Sequence, residues 1–474
     1  MMGAMRIASL PLALLIALSS SILLATEKSK MNVVLFLIDD LGWMDLSCQG
    51  SDYYQTPNID QLAAEGTRFS DAYAACALCS PTRASVMTGK YPARLMLTQW
   101  LPAGRWSPKE NKKREGRFLR ELPLEEFTIA ETLREAGYAT FHVGKWHLGG
   151  PPFSLPAQHG FDVNVAGSEH GAPGGYFYPY TGKWTVPTTG TPVVKVTLPD
   201  GQEGEYLTDR LTDEAIGLIR QNREKPFFLY FPHYGVHSPH QAKKEVIARY
   251  EAVPEKERQG LPAYAAMVES IDDSVGRIME TLQELGMEDN TLVIFTSDNG
   301  GQSKATDHAP LRANKGSHYE GGIRVPMIIK SPGASKRGAV NSVPVITNDL
   351  YPTILDVVGL PLHPRQHEDG VSLSRLLDGK RSLDREALFW HYPHYNRHPF
   401  NAPASIVRRG SWKLIEFLES GKIELYDLSN DIREATNLAE AQPERVKRLL
   451  AELRDWQTEV GAEPMRANPD YEGK

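Results

Sequence analysis

The longest runs of consecutive apolar residues predict strands that are buried inside a parallel sheet. Asn32 to Ile38 reads NVVLFLI and Thr291 to Thr296 reads TLVIFT, and both runs are rich in β-branched and aromatic residues. Strands that are covered on both faces have this continuous pattern. A further strand is predicted at Pro226 to Phe231, and apolar residues recur at helical spacing in Phe127 to Ala136 and Tyr264 to Leu285. Strands that alternate with helices predict an α/β layered fold.

The pattern changes near residue 386, where short strand-like runs follow one another closely with turn residues between them. These runs are Ala387 to His391, Ser405 to Val407, Trp412 to Phe417 and Glu424 to Asp427. Their close spacing predicts antiparallel pairing, and the charged amphipathic stretch from Pro443 to Thr458 predicts a terminal helix. We therefore expect a large domain over residues 26–385 and a smaller C-terminal subdomain over residues 386–474.

The first 25 residues have the pattern of a secretory signal peptide. Arg6 precedes an almost wholly apolar run from Ile7 to Leu24, and Ala25 is a small residue suited to cleavage before the polar Thr26. The alternative is an uncleaved membrane anchor, because the run is about long enough to span a bilayer. We expect an exported protein, periplasmic or secreted, that is free of the membrane once residues 1–25 have been removed.

Composition and charge narrow the class of protein further. Of the 474 residues, 41% are hydrophobic and 23% are charged, which is enough apolar material for a large core. The formal net charge of −7 argues against nucleic acid as the main partner, because binding to phosphates requires a basic surface.

Side chains with oxygen ligands follow both of the long buried strands. Asp39 and Asp40 come directly after the first strand, and Asp298 and Asn299 follow the last. In parallel sheets, ligands bind beyond the carboxyl ends of the strands, where these four side chains are expected to meet. Because the set offers hard oxygens without histidine or cysteine, it favours calcium, with magnesium second. The alternative is that Asp298 and Asn299 belong to an ordinary turn.

Three cysteines, Cys48, Cys76 and Cys79, leave at least one thiol outside any internal disulfide. Cys76 and Cys79 form a C-x-x-C motif, which is compatible with redox chemistry or half a zinc site. A second pair that would complete a zinc site is missing from the sequence.

The residues after Cys79 predict a short helix. Ser80 can cap it, Pro81 suits its first position and Gly89 suits its end. Cys79 would then lie at a helix N-terminus, where free amides favour an anion. Arg83 would lie about one turn further along the same side.

Further cations and imidazoles recur in short polar motifs. Lys145 and His147 are two residues apart, so in an extended segment they project to the same side. A cation beside a titratable imidazole suits an anionic substrate and proton transfer. His237 and Lys315 are weaker candidates when taken alone.

These motifs together resemble the type I, formylglycine-dependent sulfatases. CSPTRASVMTG at residues 79–89 is similar to the first signature of that family, and GYATFHVGKWH at residues 137–147 is similar to the second. The resemblance continues through residues 298–300, 315–316 and 319–326 and spans essentially the whole mature chain. It implies an alkaline-phosphatase-like α/β/α sandwich with a large mixed, mostly parallel sheet, and it makes residues 26–385 the catalytic domain.

The resemblance also implies a reaction and a set of roles. In the family the cysteine is oxidised to Cα-formylglycine by a maturation enzyme, a partner that we expect here for Cys79. One hydroxyl of the aldehyde hydrate attacks sulfur, and the other later expels sulfate. The implied calcium ligands are Asp39, Asp40, Asp298, Asn299 and the modified Cys79. The implied catalytic residues are Cys79, Arg83, Lys145, His147, His237 and Lys315.

By resemblance Arg83 fixes the formylglycine and the two lysines bind sulfate oxygens. His147 acts as the base for sulfate release, and His237 protonates the departing alcohol. Cys48 and Cys76 are then an even pair that either bridges or remains as two thiols.

The substrate is expected to be a sulfated carbohydrate or an aryl sulfate. Two loops follow active-site segments and are expected to shape a sugar pocket, Arg105 to Arg120 with its seven basic residues and Ser168 to Tyr180. An exo-acting hydrolase of sulfated galactose or N-acetylgalactosamine is favoured. The alternatives are a phosphodiesterase or phosphonate monoester hydrolase of the same superfamily, and an inactive relative that binds sulfated glycans.

Overall fold

The computed structural model describes residues 30–101, 106–182, 196–334 and 336–473. The predicted signal peptide, residues 1–25, lies outside the described residues, and so does Arg105 of the basic loop. Within the described ranges, every helix is too short or too polar to cross a membrane.

Sixteen strands are described. They are β1 Asn32–Ile38, β2 Thr67–Phe69, β3 Ala72–Tyr73, β4 Lys113–Arg114, β5 Ala139–Val143, β6 Val163–Val165, β7 Phe227–Pro232, β8 Thr291–Ser297, β9 Met327–Lys330, β10 Ala339–Asn341, β11 Val345–Ile346, β12 Ala387–Tyr392, β13 Ala404–Arg409, β14 Trp412–Phe417, β15 Ile423–Asp427 and β16 Arg466–Ala467. The α-helices are α1 Pro57–Glu65, α2 Cys79–Thr88, α3 Pro92–Leu95, α4 Ile129–Glu135, α5 Leu207–Gln221, α6 Lys244–Glu251, α7 Pro262–Glu284, α8 Glu320–Ile323, α9 Leu350–Val357, α10 Ser374–Leu377 and α11 Pro443–Glu459.

A large mixed sheet forms the centre of the molecule. Its strand order is β10-β2-β9-β8-β1-β7-β5-β6, and only β9 runs antiparallel to its neighbours. The predicted mostly parallel α/β sheet is therefore confirmed. The two strands that precede the acidic pairs, β1 and β8, are direct neighbours in this sheet.

Helices cover both faces of the sheet, which explains why its central strands are apolar throughout. Along β1, Val34, Phe36 and Ile38 pack in one buried cluster with apolar residues of α1, α5, α6 and α7. The alternate residues of β1 pack in a second cluster with α2, α4, α9 and α10. This two-residue alternation is the ordinary geometry of a strand between two helical layers.

The C-terminal residues form the predicted antiparallel sheet and terminal helix. The strand order is β12-β13-β14-β15, with each neighbour antiparallel. Helix α11 packs on this sheet through Leu449, Leu453 and Trp456, and the Trp456 ring stacks on Phe389 at 4.9 Å between centroids.

Buried ion pairs connect this small sheet to the main one. Lys413 on β14 lies 2.9 Å from Glu320 on α8 and 2.9 Å from Glu434, and all three side chains are fully buried. Although burial alone would raise it, Lys413 with Arg324 and Arg408 holds the pKa of Glu320 below its ordinary value.

Helix α2 begins two residues before its predicted start. It begins at Cys79 with Leu78 as the N-cap, and the Ser80 hydroxyl accepts a hydrogen bond from the Leu101 amide at 3.1 Å instead of capping the helix. Thr82 supplies the local anchor, because its hydroxyl donates to the Cys76 carbonyl at 3.1 Å. The predicted end is confirmed, since Gly89 is the left-handed C-cap with φ 70°.

Candidate active site

The parallel register of β1 and β8 brings the two acidic pairs together. Ile38 lies beside Ser297, so the residues that follow each strand meet at the same edge of the sheet. Oxygen atoms of Asp39, Asp40 and Asp298 lie within 4.8 Å of one another, and all three residues are buried. The Asn299 amide donates to Asp40 Oδ1 at 2.8 Å, which places the fourth predicted residue in the same cluster.

The free oxygens of this cluster fit a hard cation. Asp39 Oδ1, Asp40 Oδ2 and Asn299 Oδ1 are buried without a hydrogen-bond partner. Burial raises the pKa of Asp39 to about 8, and this effect outweighs the opposing one of Lys145. A divalent ion would supply the missing partners and would stabilise the carboxylate form of Asp39.

Cys79 lies beside this cluster at the N-terminus of α2. Its thiol is buried, and burial raises the pKa of the thiol. Arg83, one turn along the helix, lies on the same side. Its Nε donates to Asp298 Oδ2 at 2.9 Å, and its Nη1 donates to the Lys145 carbonyl at 2.9 Å.

The two predicted lysines each pair with one acidic residue. Lys145 Nζ lies 2.7 Å from Asp39 Oδ2, and Lys315 Nζ contacts Asp40 Oδ1. Although burial alone would raise it, Lys315 and the neighbouring His237 and Lys145 keep the pKa of Asp40 below its ordinary value. The site thus combines three buried cations with three buried carboxyl groups.

His147 is fixed by its backbone and by one hydrogen bond. His147 has φ 59°, so the segment 145–147 is not a regular strand. Lys145 and His147 nevertheless both lie at the site. His147 Nε2 lies 2.6 Å from the Leu101 carbonyl, so it must carry the proton of that bond, and Nδ1 remains buried without a partner. Burial, followed by Lys145, lowers the pKa of His147 well below its usual range.

His237 lies next to the cluster on the side of Asp40. Its Nδ1 donates to the Ser238 carbonyl at 2.7 Å, which leaves Nε2 directed at Asp40 Oδ2, 3.7 Å away. Burial lowers the pKa of His237 to about 3, although Asp40 opposes this shift. His233, on the same segment, has a structural contact instead: its Nε2 lies 3.3 Å from the Ser274 hydroxyl in the core.

The C-terminal subdomain adds two residues to the site that the sequence did not reveal. The Asn396 amide donates to the Gly316 carbonyl at 3.0 Å. A Cβ added at Gly316 would lie 2.5 Å from the Cβ of His398, so this histidine lies directly on the backbone that follows Lys315. Neither residue belongs to a recognisable motif, and only the fold brings them near Lys315.

The predicted specificity loops have different surroundings. In the loop Ser168 to Tyr180, a Cβ at Gly171 would lie 2.5 Å from the His147 ring, and the Tyr176 hydroxyl lies 2.8 Å from the His237 carbonyl. This loop therefore borders both histidines.

The basic loop instead contacts the C-terminal end of the chain. Lys109 pairs with Glu472 at 2.9 Å, Arg114 pairs with Asp470 at 3.0 Å, and Arg117 pairs with Glu463. Strand β4 in the same loop pairs with β16. These three charges already have acidic partners.

The three cysteines are free. Cys48 packs at the edge of the first core cluster, whereas Cys76 lies in a small cluster with Leu78 and Tyr392. The bridged alternative for Cys48 and Cys76 is not present.

Comparisons with known proteins agree with this arrangement. The sulfatase family model matches residues 31–360, and a model described as N-sulphoglucosamine sulphohydrolase, C-terminal, matches residues 313–459. A sulfatase of Formosa agariphila is 33% identical, covering 93% of this chain and 91% of that protein. Human N-acetylgalactosamine-6-sulfatase is 33% identical, covering 76% of this chain and 68% of that protein.

Among solved structures, the crystal structure of Ps i-CgsB in complex with k-i-k-neocarrahexaose has a TM-score of 0.76 at 32% identity and covers 94% of this chain and 95% of that one. The fold is thus the alkaline-phosphatase-like sandwich of these enzymes. The chain belongs to the sulfatase family and is a sulfuric ester hydrolase.

Proposed function

We propose that this enzyme is an exported, exo-acting carbohydrate sulfatase that uses a formylglycine derived from Cys79 and one bound calcium ion. The observation that carries this proposal is the position of Cys79, at a helix N-terminus between three buried cations and four oxygen-bearing side chains. The formylglycine hydrate supplies two hydroxyls, one to attack sulfur and one to expel sulfate afterwards.

Asp39, Asp40, Asp298 and Asn299 would hold the ion together with the modified Cys79. Their oxygens suit calcium first and magnesium second. When bound, the ion lowers the pKa of a hydroxyl beside it and balances the negative charge of sulfate. Arg83, through its contacts with Asp298 and the Lys145 carbonyl, keeps the first turn of α2 directed at these ligands.

The lysines are the proposed sulfate ligands. Lys145 and Lys315 lie on different carboxylates of the same cluster, so their ammonium groups approach the ion site from two sides. Negative charge that develops on sulfate oxygens in the transition state would be stabilised by both cations. Loss of one such buried donor costs on the order of 10²–10³ in kcat.

The two histidines would carry out different proton transfers, His147 as a base and His237 as an acid. His147 donates from Nε2 to the Leu101 carbonyl, so its Nδ1 has the free lone pair needed by a base during sulfate release. His237 keeps a proton on Nδ1 through Ser238, and its Nε2 would carry the proton given to the departing alcohol. Because burial keeps His237 neutral, this second proton would be taken up together with the anionic substrate.

The substrate proposal rests on the sugars in the names of two relatives, N-acetylgalactosamine and k-i-k-neocarrahexaose, and on the loop Ser168 to Tyr180 beside both histidines. Galactose or N-acetylgalactosamine sulfate is the sugar that we favour. The maturation enzyme that oxidises the cysteine is the expected protein partner.

The experiment is a measurement of released sulfate from a panel of defined sulfated mono- and oligosaccharides, with an aryl sulfate and an aryl phosphodiester alongside. We expect sulfate release from at least one terminally sulfated sugar, and aryl sulfate to be cleaved faster than the phosphodiester. A preference for the phosphodiester would favour a phosphodiesterase or phosphonate monoester hydrolase. Activity confined to aryl sulfate would contradict the carbohydrate substrate.

A further inference from the structure

An open cleft of about 340 Å³ lies beside the active site, between the segment 306–314 and the C-terminal subdomain. Its lining includes Asp307, His308 and Asn314 on one side and Phe400 and Arg433 on the other. The volume falls at the lower end of the range for small-molecule sites, about 300–1,000 Å³, which is room for one sugar ring.

The walls of the cleft are continuous with the catalytic residues. A Cβ at Gly301, two residues after Asn299, would lie 2.9 Å from His308 Cε1. Asn314 directly precedes Lys315, whose amide donates to the Gly301 carbonyl at 3.0 Å. On the opposite wall, Phe400 follows His398, which lies on Gly316. The cleft therefore begins one residue before Lys315, a proposed sulfate ligand, and its opposite wall is two residues from His398, which lies on Gly316.

The accessible groups of the cleft suit an anionic carbohydrate. Phe400 is 66% exposed, the highest fraction among the exposed large apolar residues of the described chain, and it lines the cleft. An exposed aromatic ring can stack on the apolar face of a sugar. The Arg433 side chain is exposed and has no ion pair or hydrogen bond within the described ranges. It differs in this from the basic loop, where Lys109, Arg114 and Arg117 each have an acidic partner. The Asp307 carboxylate offers an acceptor for sugar hydroxyls.

Two other clefts of the described chain lack this combination. The one around Tyr53 and Tyr250 contains Arg249, which is already paired with Glu269. The one around Lys109 and Tyr471 contains the Lys109 to Glu472 pair.

We propose that the cleft between Asp307 and Phe400 binds the sugar next to the sulfated one, with Phe400 against the ring and Arg433 on an anionic substituent of that sugar. This inference rests on the proposed carbohydrate sulfatase function and adds a preference to it. The enzyme is then selective for a terminal sulfated sugar within an anionic oligosaccharide over the same sulfated sugar as a monosaccharide.

The test compares Phe400→Ala and Arg433→Gln with the unchanged enzyme on three substrates: an aryl sulfate, a sulfated monosaccharide and an anionic oligosaccharide that ends in the same sugar. We expect kcat/KM on the oligosaccharide to fall roughly tenfold in each variant, with the other two substrates unchanged. Phe400→Tyr should keep most of the activity on the oligosaccharide, and Arg223→Gln, which removes an exposed arginine before β7, should change none of the three.

The possible outcomes distinguish failure of this inference from failure of the proposed carbohydrate sulfatase function. Unchanged oligosaccharide hydrolysis in both variants, or an equal loss on all three substrates, would overturn the role of the cleft. An unchanged enzyme that cleaves the aryl sulfate but neither sugar would instead overturn the carbohydrate substrate itself.

Discussion

Paired buried charges determine the chemistry of the site at the scale of single residues. Lys145, Lys315 and Arg83 each lie on a different carboxylate of one cluster, so their cations are held without contact with bulk water. Three oxygens of the same cluster have no hydrogen-bond partner. These oxygens are suited to the cation that we propose beside Cys79.

Removal of one cluster carboxylate should remove the metal. Asp298→Ala deletes a proposed charged ligand and removes the carboxylate nearest to the buried Arg83, so we expect loss of bound calcium together with loss of sulfatase activity. Elemental analysis of the purified protein measures the metal. Asp272→Asn is the matched control, because that buried carboxyl accepts hydrogen bonds from Asn58 and Ile59 away from the cluster. Full calcium occupancy in Asp298→Ala would show that Asp298 is not a calcium ligand and belongs to an ordinary turn.

The effect of removing the His237 side chain on kcat should depend on the leaving group of the substrate. A sugar alcohol needs a proton as it departs, whereas an activated phenol departs as its anion. We therefore expect His237→Ala to lower kcat about 10²–10⁴-fold on a sugar sulfate and much less on a nitrophenyl sulfate. Equal losses on the two substrates would contradict a role in protonating the alcohol.

The meeting of Asp39, Asp40, Asp298 and Asn299 could be predicted from the sequence because each pair directly follows a continuous apolar run typical of a central strand. Asn396 and His398 could not be predicted in this way, because their approach to Gly316 depends on how the C-terminal subdomain packs.

At the scale of secondary-structure elements, hydrogen bonds to neighbouring segments position the first turn of helix α2, which carries Cys79. Helix α2 begins two residues before its predicted start because Thr82 anchors its first turn, while the Ser80 hydroxyl accepts a hydrogen bond from the Leu101 amide. The strand and helix boundaries otherwise differ from prediction by one or two residues, since local patterns do not specify where tertiary hydrogen bonds end.

The basic loop gives a prediction at this scale. Because Lys109, Arg114 and Arg117 pair with the acidic C-terminal end, replacing all three with glutamine should leave kcat/KM on sulfated oligosaccharides within about twofold. The same change should increase proteolysis after residue 460 in a limited-digestion experiment, because the pairs and the β4–β16 strand contact hold that segment. A large drop in kcat/KM without change in digestion would assign these cations to the substrate.

At the scale of the whole molecule, buried ion pairs join the small sheet to the main one. Lys413→Met would leave Glu434 without its cation in the interior, and a broken buried pair costs about 3–5 kcal/mol. We expect a marked fall in Tm by calorimetry, with partial recovery when Glu434→Gln is added. Lys422→Met, which removes an exposed lysine from the turn between β14 and β15, should cost less than about 1 kcal/mol. Equal effects of the two lysine changes would show that the buried network does not join the sheets.

The modification of Cys79 is the central claim, and one tryptic peptide tests it. Cleavage after Arg68 and Arg83 releases residues 69–83, which contain both Cys76 and Cys79. We predict that active enzyme, treated with a thiol-alkylating reagent and analysed by mass spectrometry, carries the alkyl group on Cys76 alone and an aldehyde at position 79. Fully active enzyme in which both cysteines are alkylated would contradict the proposed mechanism.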